Sequence, residues 1–428
     1  MAYNVCEFFV GAGGSHLGFI QQGFKTLYVN DIDKDALKTL LHNNKELKDA
    51  IIDQTSITEI DPKHLQAQIK QEVDVIFAGI VCKSFSLAGE RSPNDKRNYF
   101  YRYYLEIIKS LRPKISIIEN VKGMLNAKIL PQNSDPKILQ EVDILYQELE
   151  NYKGKKAELR KKNSITKEFE NYGLNLRQKK QNLQKKLNDL MHGVIDDILK
   201  IYEELGYRVE FKVLNSAWYG SATKRERLII VAVRNDLPFN FTFPKPTHLS
   251  DEINTRLDFK DLPTSFKKPF LIRDAFNLID YSNSDDTDNL PMQHNPKTIE
   301  RFKYIQEGKN IQESIESLPK HLQISKFYSR GNTMRLKMDA LSPTLVPGHS
   351  NFPLHPTEHR SITIREAATI TGFPISYKFF GSHTKRCEQV GNAVPIALSS
   401  AIAKEVKRFL DSLNQKLSKR PKKYYGCK

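Results

Sequence analysis

The chain opens on a unit that few folds can accommodate. A strand-like apolar run over 3–9 passes straight into Val10-Gly11-Ala12-Gly13-Gly14-Ser15-His16-Leu17-Gly18-Phe19. Helical periodicity then resumes at Leu17, Ile20 and Phe24. Glycine permits backbone angles closed to other residues and lets a ligand approach the main chain. Strand, glycine turn and helix, in that order, begin a nucleotide-type α/β sheet. A second strand over 26–30 ends at Asp31-Ile32-Asp33. A carboxylate there can accept hydrogen bonds from both ribose hydroxyls, so Asp31 strengthens a glycine signal that is weak alone.

The alternation continues. Residues 51–60 read as a third strand and turn. Val75-Ile76-Phe77-Ala78-Gly79 reads as a buried fourth strand that breaks into a loop of small and polar residues holding Cys82. Residues 99–111 form an amphipathic helical pattern that Pro113 stops. Ile115-Ser116-Ile117-Ile118 reads as a fifth strand, ending at Glu119-Asn120-Val121. Ligands of open α/β sheets bind at the carboxyl ends of the strands. Cys82 is therefore a candidate nucleophile and Glu119 a candidate second catalytic group. The plainer readings are a thiol packed as a small hydrophobe and a carboxylate capping a helix or facing solvent.

Over 141–192 the chain turns rich in Lys, Gln, Asn and Glu, with Leu, Ile and Tyr at helical spacing. This reads as an inserted hairpin of two helices, its charge a solvated face rather than a DNA contact. The α/β pattern resumes with a helix over 194–205, a strand over 207–214, and Lys224-Arg225-Glu226-Arg227 leading into a strand over 228–233. Alternation puts Arg225 and Arg227 on one side of that segment, suited to a phosphate or carboxylate. Past Arg234 the alternation is lost and Pro238, Pro244, Pro246, Pro263 and Pro269 punctuate the chain. A helix is expected within 296–320 and another over 365–370. Gln389-Val390-Gly391-Asn392-Ala393-Val394-Pro395 opens a final apolar helix over 396–410, and the basic tail from Lys416 reads as disordered.

The formal net charge of +16 and pI near 9.4 favour a polyanionic partner, usually nucleic acid. No apolar run reaches the roughly 18–20 residues needed to span a bilayer, and the amino terminus shows no signal-peptide pattern. Cys6, Cys82, Cys387 and Cys427 lie far apart and form no CxxC pair. That argues against a zinc site or disulfide framework and for a reducing, cytoplasmic setting.

Taken together and in this order, the pieces resemble the cytosine-5 DNA methyltransferases of bacterial restriction–modification systems. Phe9-Val10-Gly11-Ala12-Gly13-Gly14 is similar to the family's cofactor loop. Asp31-Ile32 resembles its ribose- and adenine-holding pair, and Cys82 with Phe85-Ser86 its catalytic loop. Glu119-Asn120-Val121, Arg225-Glu226-Arg227, Arg365-Glu366-Ala367 and Gly391-Asn392-Ala393-Val394-Pro395 match its later motifs. The resemblance implies an α/β fold with a doubly wound, mostly parallel, Rossmann-like sheet, S-adenosyl-L-methionine as cofactor with S-adenosyl-L-homocysteine as product, no metal, and a cytosine in double-stranded DNA as substrate. It implies catalytic roles for Cys82, Glu119, Arg225 and Arg227. Cofactor contacts would come from Phe9, Gly11, Gly13, Gly14, Asp31, Ile32, Ser56, Ile57, Val81, Phe100 and Asn392, and DNA contacts from Lys83 and Ser86. A catalytic domain would comprise 1–237 and 384–415 with 141–192 inserted, a target-recognition domain 238–383, and a basic tail 416–428. The protein would act on DNA as a monomer.

The chain also departs from that pattern. Val81 precedes the cysteine where Pro is usual, restoring a backbone N–H. Lys83 stands where Gln is usual, Ser56 where Asp is frequent, Thr223 for a common Gln and Thr369 for a common Arg. A DNA-binding homologue with weak or no catalysis, and an RNA cytosine-5 methyltransferase, remain alternative readings.

Overall fold

The computed structural model describes residues 2–80, 92–162, 164–249, 263–324, 331–348 and 352–418. Val81, Cys82, Lys83 and Ser86 lie outside them. In chain order the first elements are β1 (Asn4–Phe8), α1 (Gly14–Gln21), β2 (Lys25–Asn30), α2 (Lys34–Asn43), β3 (Ile51–Asp53), α3 (Pro62–Gln68), β4 (Val75–Gly79), α4 (Phe100–Leu111) and β5 (Ile115–Asn120). Then come β6 (Lys128–Ile129), α5 (Pro136–Lys161), α6 (Lys167–Leu187), β7 (His192–Gly193), α7 (Val194–Glu204), β8 (Tyr207–Asn215) and β9 (Glu226–Arg234). The remainder holds α8 (Ile272–Phe276), α9 (Pro296–Phe302), α10 (Ile364–Thr371), α11 (His383–Asn392) and α12 (Ile396–Ser418).

Seven strands form one sheet in the order β3-β2-β1-β4-β5-β9-β8. Neighbours pair in parallel from β3 to β5, while β9 runs antiparallel to both β5 and β8. The strand order reverses between β1 and β4. That switch point opens a crevice at the carboxyl ends of the two strands, one followed by the glycine loop and the other by the cysteine loop.

Alternating side chains bury both faces of the sheet. Cys6, Phe8, Ile76, Ala78, Ile118, Leu228, Ile230 and Ala232 pack with α4 and α7 on one face. Val5, Val75, Phe77, Ile115, Ile117, Ile229, Val231 and Val233 pack with Phe19 of α1 and with α12 on the other. Along α12, Leu398, Ile402, Val406, Phe409, Leu410 and Leu413 face inward. Each such side chain contributes about 1.5–3 kcal/mol when fully buried, which brings the end of the chain back onto its first helix. Tyr3 completes the closure by donating to Asp411 Oδ1 at 2.7 Å.

Gly14 and Gly18 allow this closure. A Cβ on Gly14 would stand 2.4 Å from the Val394 carbonyl oxygen, and one on Gly18 would stand 2.3 Å from Ser399 Oγ. The glycines thus serve close helix packing as well as the turn, and Ser399 Oγ donates to the Gly14 carbonyl at 2.8 Å.

Most elements match the sequence reading, and the final helix runs longer. The strand and turn read over 51–60 are β3, Ile51–Asp53, and the turn that follows it, where Asp53 accepts from the Tyr28 hydroxyl and the Thr55 N–H. α4 ends at Leu111, with Arg112 in the left-handed region ahead of Pro113. Within 296–320 the α-helix is one short piece, α9, followed by 3-10 turns. α12 continues past Leu410 to Ser418, so helix extends into the segment read as tail.

Candidate active site

The site is built where β1, β4 and β5 end. Glu119 and Gly79 are register partners on β5 and β4. A Cβ added to Gly79 would stand 3.4 Å from the Phe9 carbonyl oxygen and 3.6 Å from Glu119 Oε2. The start of the glycine loop, the end of the cysteine-bearing strand and the candidate carboxylate therefore lie close together, with room for no more than a methyl group between them. The Asn120 side chain donates to the Ile80 carbonyl at 3.2 Å, fixing the main chain two residues ahead of Cys82 against β5.

β9 supplies the countercharge. Arg225 and Arg227 flank Glu226, and the pleat turns both inward while Glu226 faces solvent. Arg227 Nε sits 2.7 Å from Glu119 Oε1, with both side chains about nine-tenths buried. Arg225 is 5% exposed. Its Nη1 and Nη2 donate to the carbonyls of Leu345 and Asn392, each at 3.2 Å. Its Nε has no hydrogen-bond partner among the described residues, which is rare for a buried charged donor. Burial pushes the Glu119 carboxyl above its usual range, with Arg227 and then Arg225 pulling it back. Burial also presses both guanidinium groups below their ordinary value, but that value is so high that both remain cationic.

The glycine loop adopts angles that explain its composition. Gly11 and Gly13 have φ of 56° and 95°, and Phe9 reaches 54°, a value few non-glycine residues adopt. A Cβ on Gly11 would meet nothing within 4 Å, whereas one on Gly13 would press on Leu40 and Tyr377. The Gly11 N–H donates to Asp31 Oδ2 at 2.7 Å and the Asp33 N–H to Asp31 Oδ1 at 2.8 Å. Burial raises the Asp31 pKa, and those two backbone donors oppose the rise. Ile32 is 67% exposed. The Phe9 and Phe100 rings stack with centroids 6.0 Å apart. Ser56 bonds Thr58 through their hydroxyls at 2.8 Å, and Ile57 packs into the core.

Phe9, Gly11, Asp31 and Phe100 thus lie around the glycine loop, Glu119 and Arg227 form an ion pair, and Asn392 reaches Arg225 through its carbonyl. The structure places Ser56 and Ile57 past β3, where Ile57 belongs to the hydrophobic cluster against which Phe9 and Phe100 pack. Two features were missed in the sequence. Gly79 has a flat signal there, since any strand end can hold glycine. The other is a buried cluster in which His16 bridges Glu7 of β1 and Glu46, at 2.7 and 3.0 Å; a Glu inside an apolar strand was its visible sign.

Among the described residues no group of His, Cys, Asp and Glu could hold a metal ion, and Cys6 and Cys387 are free and buried. No described helix is long and apolar enough to cross a membrane.

The family model described as C-5 cytosine-specific DNA methylase matches residues 3–152 and 181–408. The chain belongs to that family. Among curated relatives it is 27% identical over 423 residues to the type II methyltransferase M.Eco47II of Escherichia coli, covering 97% of this chain and 81% of that one. It is 28% identical over 422 residues to the type II methyltransferase M.FnuDI of Fusobacterium nucleatum, covering 95% of each. In fold it resembles a putative DNA modification methyltransferase encoded within an E. coli prophage, with a TM-score of 0.62 at 18% identity, covering 96% of this chain and all of that one. This cytosine-5 methylase is a transferase with the doubly wound, mostly parallel sheet that its sequence implied. The stretch left unmatched, 153–180, falls within the α5–α6 hairpin.

Proposed function

We propose that the chain methylates carbon 5 of a flipped-out cytosine within a specific duplex DNA sequence, using S-adenosyl-L-methionine and a covalent Cys82 adduct. The observation that carries this reading is the meeting of Phe9, Gly79 and Glu119 beside Arg227, with the buried Arg225 Nε left without a partner.

The loop residues fit such a cofactor. Asp31 spends one lone pair of each oxygen on a backbone N–H, leaving a second on each for a ribose hydroxyl. Exposed Ile32 offers an apolar face to a purine. Open space over Gly11 admits close approach to the main chain, and Phe9 with Phe100 gives an aromatic wall. Gly13, Gly14, Ser56, Ile57, Val81 and Asn392 complete the proposed set. When bound, the cofactor supplies an electrophilic methyl group.

The chain's own residues make carbon 5 of the base able to accept it. The Cys82 thiolate forms a bond to carbon 6, and the electron pair of the 5,6 double bond moves toward carbon 5. Glu119, its carboxyl pushed above its usual range by burial, holds the ring edge and donates a proton at nitrogen 3. Arg225 offers its free Nε–H to the base carbonyl, where negative charge grows. Arg227 keeps Glu119 oriented through the 2.7 Å pair. Once carbon 5 has been methylated it gives up its proton to a solvent base, nitrogen 3 returns its proton to Glu119, the sulfur–carbon 6 bond breaks as the 5,6 double bond re-forms, and 5-methylcytosine leaves with the thiolate restored. Extruding the base costs a few kcal/mol, offset by contacts to the duplex, including those proposed for Lys83 and Ser86.

The catalytic domain is proposed as 1–237 with 384–415, and target recognition as 238–383. Within the latter, Phe302, Ile305, Ile311, Leu318, Leu322 and Leu354 form a cluster of their own that can hold base-reading loops. The relatives' names support a role in protecting host DNA within a restriction–modification system; action in the cytoplasm and as a monomer on DNA are further parts of the proposal. The test is transfer of a labelled methyl group to plasmid DNA and to tRNA. Wild-type protein is expected to label plasmid alone and Cys82→Ala neither; equal labelling by Cys82→Ala would refute the covalent route.

A further inference from the structure

The α5–α6 hairpin grows out of the catalytic edge of the sheet. After β5 ends beside Glu119, the chain passes through β6 into α5, returns along α6, and re-enters the sheet layers through β7 and α7. Its root is tied to the segment that follows the cysteine loop. The Leu130 N–H donates to the Pro93 carbonyl at 3.3 Å, and Asn94 Nδ2 donates to Asp143 Oδ1 at 2.9 Å.

The hairpin closes on itself. Val142, Leu145, Tyr146 and Leu149 of α5 pack against Leu176, Leu183 and Leu187 of α6. Tyr152 covers Gly173, where a Cβ would stand 2.1 Å from the phenol oxygen, and stacks on Phe169 at 4.6 Å. Its main apolar stripes are satisfied internally, and only Ile144, Tyr172 and Leu174 stand out as large exposed apolar side chains among its described residues. What it presents outward is charge. Between Lys153 and Lys186 there are twelve Lys or Arg and three Glu, a net of +9 within a chain of +16.

That charge is poorly neutralised. Lys153–Glu150 at 4.0 Å and Lys186–Glu141 at 3.8 Å are long, exposed pairs of little worth. Lys155, Lys162, Lys167, Arg177, Lys179 and Lys185 are exposed and make no ion pair among the described residues. Holding so many like charges on one hairpin is self-repulsive, and a polyanion alongside would relieve it.

We propose that the distal half of this hairpin is a second DNA-binding surface that tracks the phosphates of duplex flanking the target site. The inference rests on the cytosine-methylating function proposed above. At 1.5 Å per residue, the 26 residues of α5 span about 39 Å. Counted from the root, its basic half begins roughly 25 Å out. A duplex lying along it at about 3.4 Å per base pair meets that half some 7 to 11 base pairs from the target. The recognition is electrostatic and indifferent to sequence, and most of its residues fall in the stretch 153–180 that the family model leaves unmatched.

The test compares wild type with a variant carrying K155Q, K162Q, K167Q, R177Q, K179Q and K185Q, and with the Lys-to-Arg variant at the same five lysines. All six positions are exposed, so the hairpin core is untouched. Fluorescence anisotropy reads binding to 16- and 40-base-pair DNA duplexes from 50 to 200 mM salt. On the 40-mer, the Gln variant should lose up to about 5 from the log–log salt slope, at roughly 0.9 per phosphate contact. On the 16-mer it should match wild type, and the Arg variant should match wild type on both. Equal slopes for Gln variant and wild type on the 40-mer would overturn the proposal. So would equal losses on both lengths, or a loss seen with a 40-base-pair RNA duplex and not with DNA. Failure of the underlying function reads out separately, as wild-type protein that transfers no methyl group to plasmid.

Discussion

Among the described residues, two buried clusters of carboxylate and arginine are built to opposite ends. Glu366 of α10 is fully buried and accepts from Arg360 Nη1 and Nη2 at 2.8 Å each, from the Thr363 N–H at 2.7 Å and from Tyr281 at 3.2 Å. Its neighbour Arg365 is clamped on Asp286. Glu119 has one bonded partner among the described residues, Arg227, and the adjoining Arg225 keeps an unused Nε–H. A saturated carboxylate has no capacity left for a ligand, so Glu366 can only hold parts of the fold together, although Arg365 Nη1 beside it is also buried without a partner among the described residues. The unsaturated one reserves donor and acceptor capacity that something else must complete. Identical residue types thus serve an anchor in one place and a candidate site in the other, and the count of partners separates them.

The largest expected effect breaks the site. Glu119→Gln keeps the shape but removes the acid, and kcat for methyl transfer to plasmid should fall about 10²- to 10⁴-fold. A kcat within threefold of wild type would mean that the unsaturated cluster is not catalytic, and the contrast with Glu366 would lose its functional meaning.

The second breaks the anchor. Glu366→Gln leaves the Arg360 guanidinium in a buried setting with only half-exposed Glu358 as its remaining carboxylate. Unpairing a buried charge costs about 3–5 kcal/mol, and the surviving Glu358 contact puts the expectation at the low end. Urea unfolding followed through Trp218, the one tryptophan of the chain, measures it. Folded variant should retain kcat within a few-fold. Unchanged stability with lost turnover would place Glu366 in the catalytic apparatus instead.

Much of this contrast could be read from residue order, and some could not. Strand alternation, the glycine turn and the acid at Asp31 fix the sheet, because burial on two faces with short connections allows few other arrangements. The convergence of Glu119 with Arg227 needs the antiparallel return of β9 beside β5. Period-two alternation says which side Arg225 and Arg227 share, but nothing about which strand lies next to them. The Arg360–Glu366 bond was equally hidden, since only Arg365-Glu366-Ala367 stood out as a motif. In the glycine loop, Gly14 looked like a ligand-binding residue, while its close approach to Val394 comes from the connection between α11 and α12, nearly four hundred residues away. Such close approaches depend on the final packing and leave no local mark.

A third cluster, Glu7–His16–Glu46, sharpens the comparison because it lies against the glycine loop yet is saturated. Both His16 nitrogens face carboxylates, at 2.7 and 3.0 Å, and Ser15 Oγ also donates to Glu7. Two acceptors require two N–H donors, so the ring is protonated. Burial opposes that charge, but Glu7 and Glu46 outweigh it and hold the His16 pKa up to about 9. The folded value lies above the unfolded one of about 6.5. The cluster's stabilisation is therefore complete below pH 6.5 and is lost as pH rises through 9. The difference corresponds to about 3 kcal/mol, within or just below the range for Glu366→Gln. Unfolding free energy measured by urea from pH 6 to 10 should decline across that window, and His16→Gln should flatten the decline. Because Glu7 ends up in β1 and His16 in the first turn of α1, on either side of the loop, the KM for the methyl donor should rise over the same interval. Stability that stays level from pH 6.5 to 10 in wild type would show an uncharged ring, and would move this cluster from the anchors to the unsaturated sites.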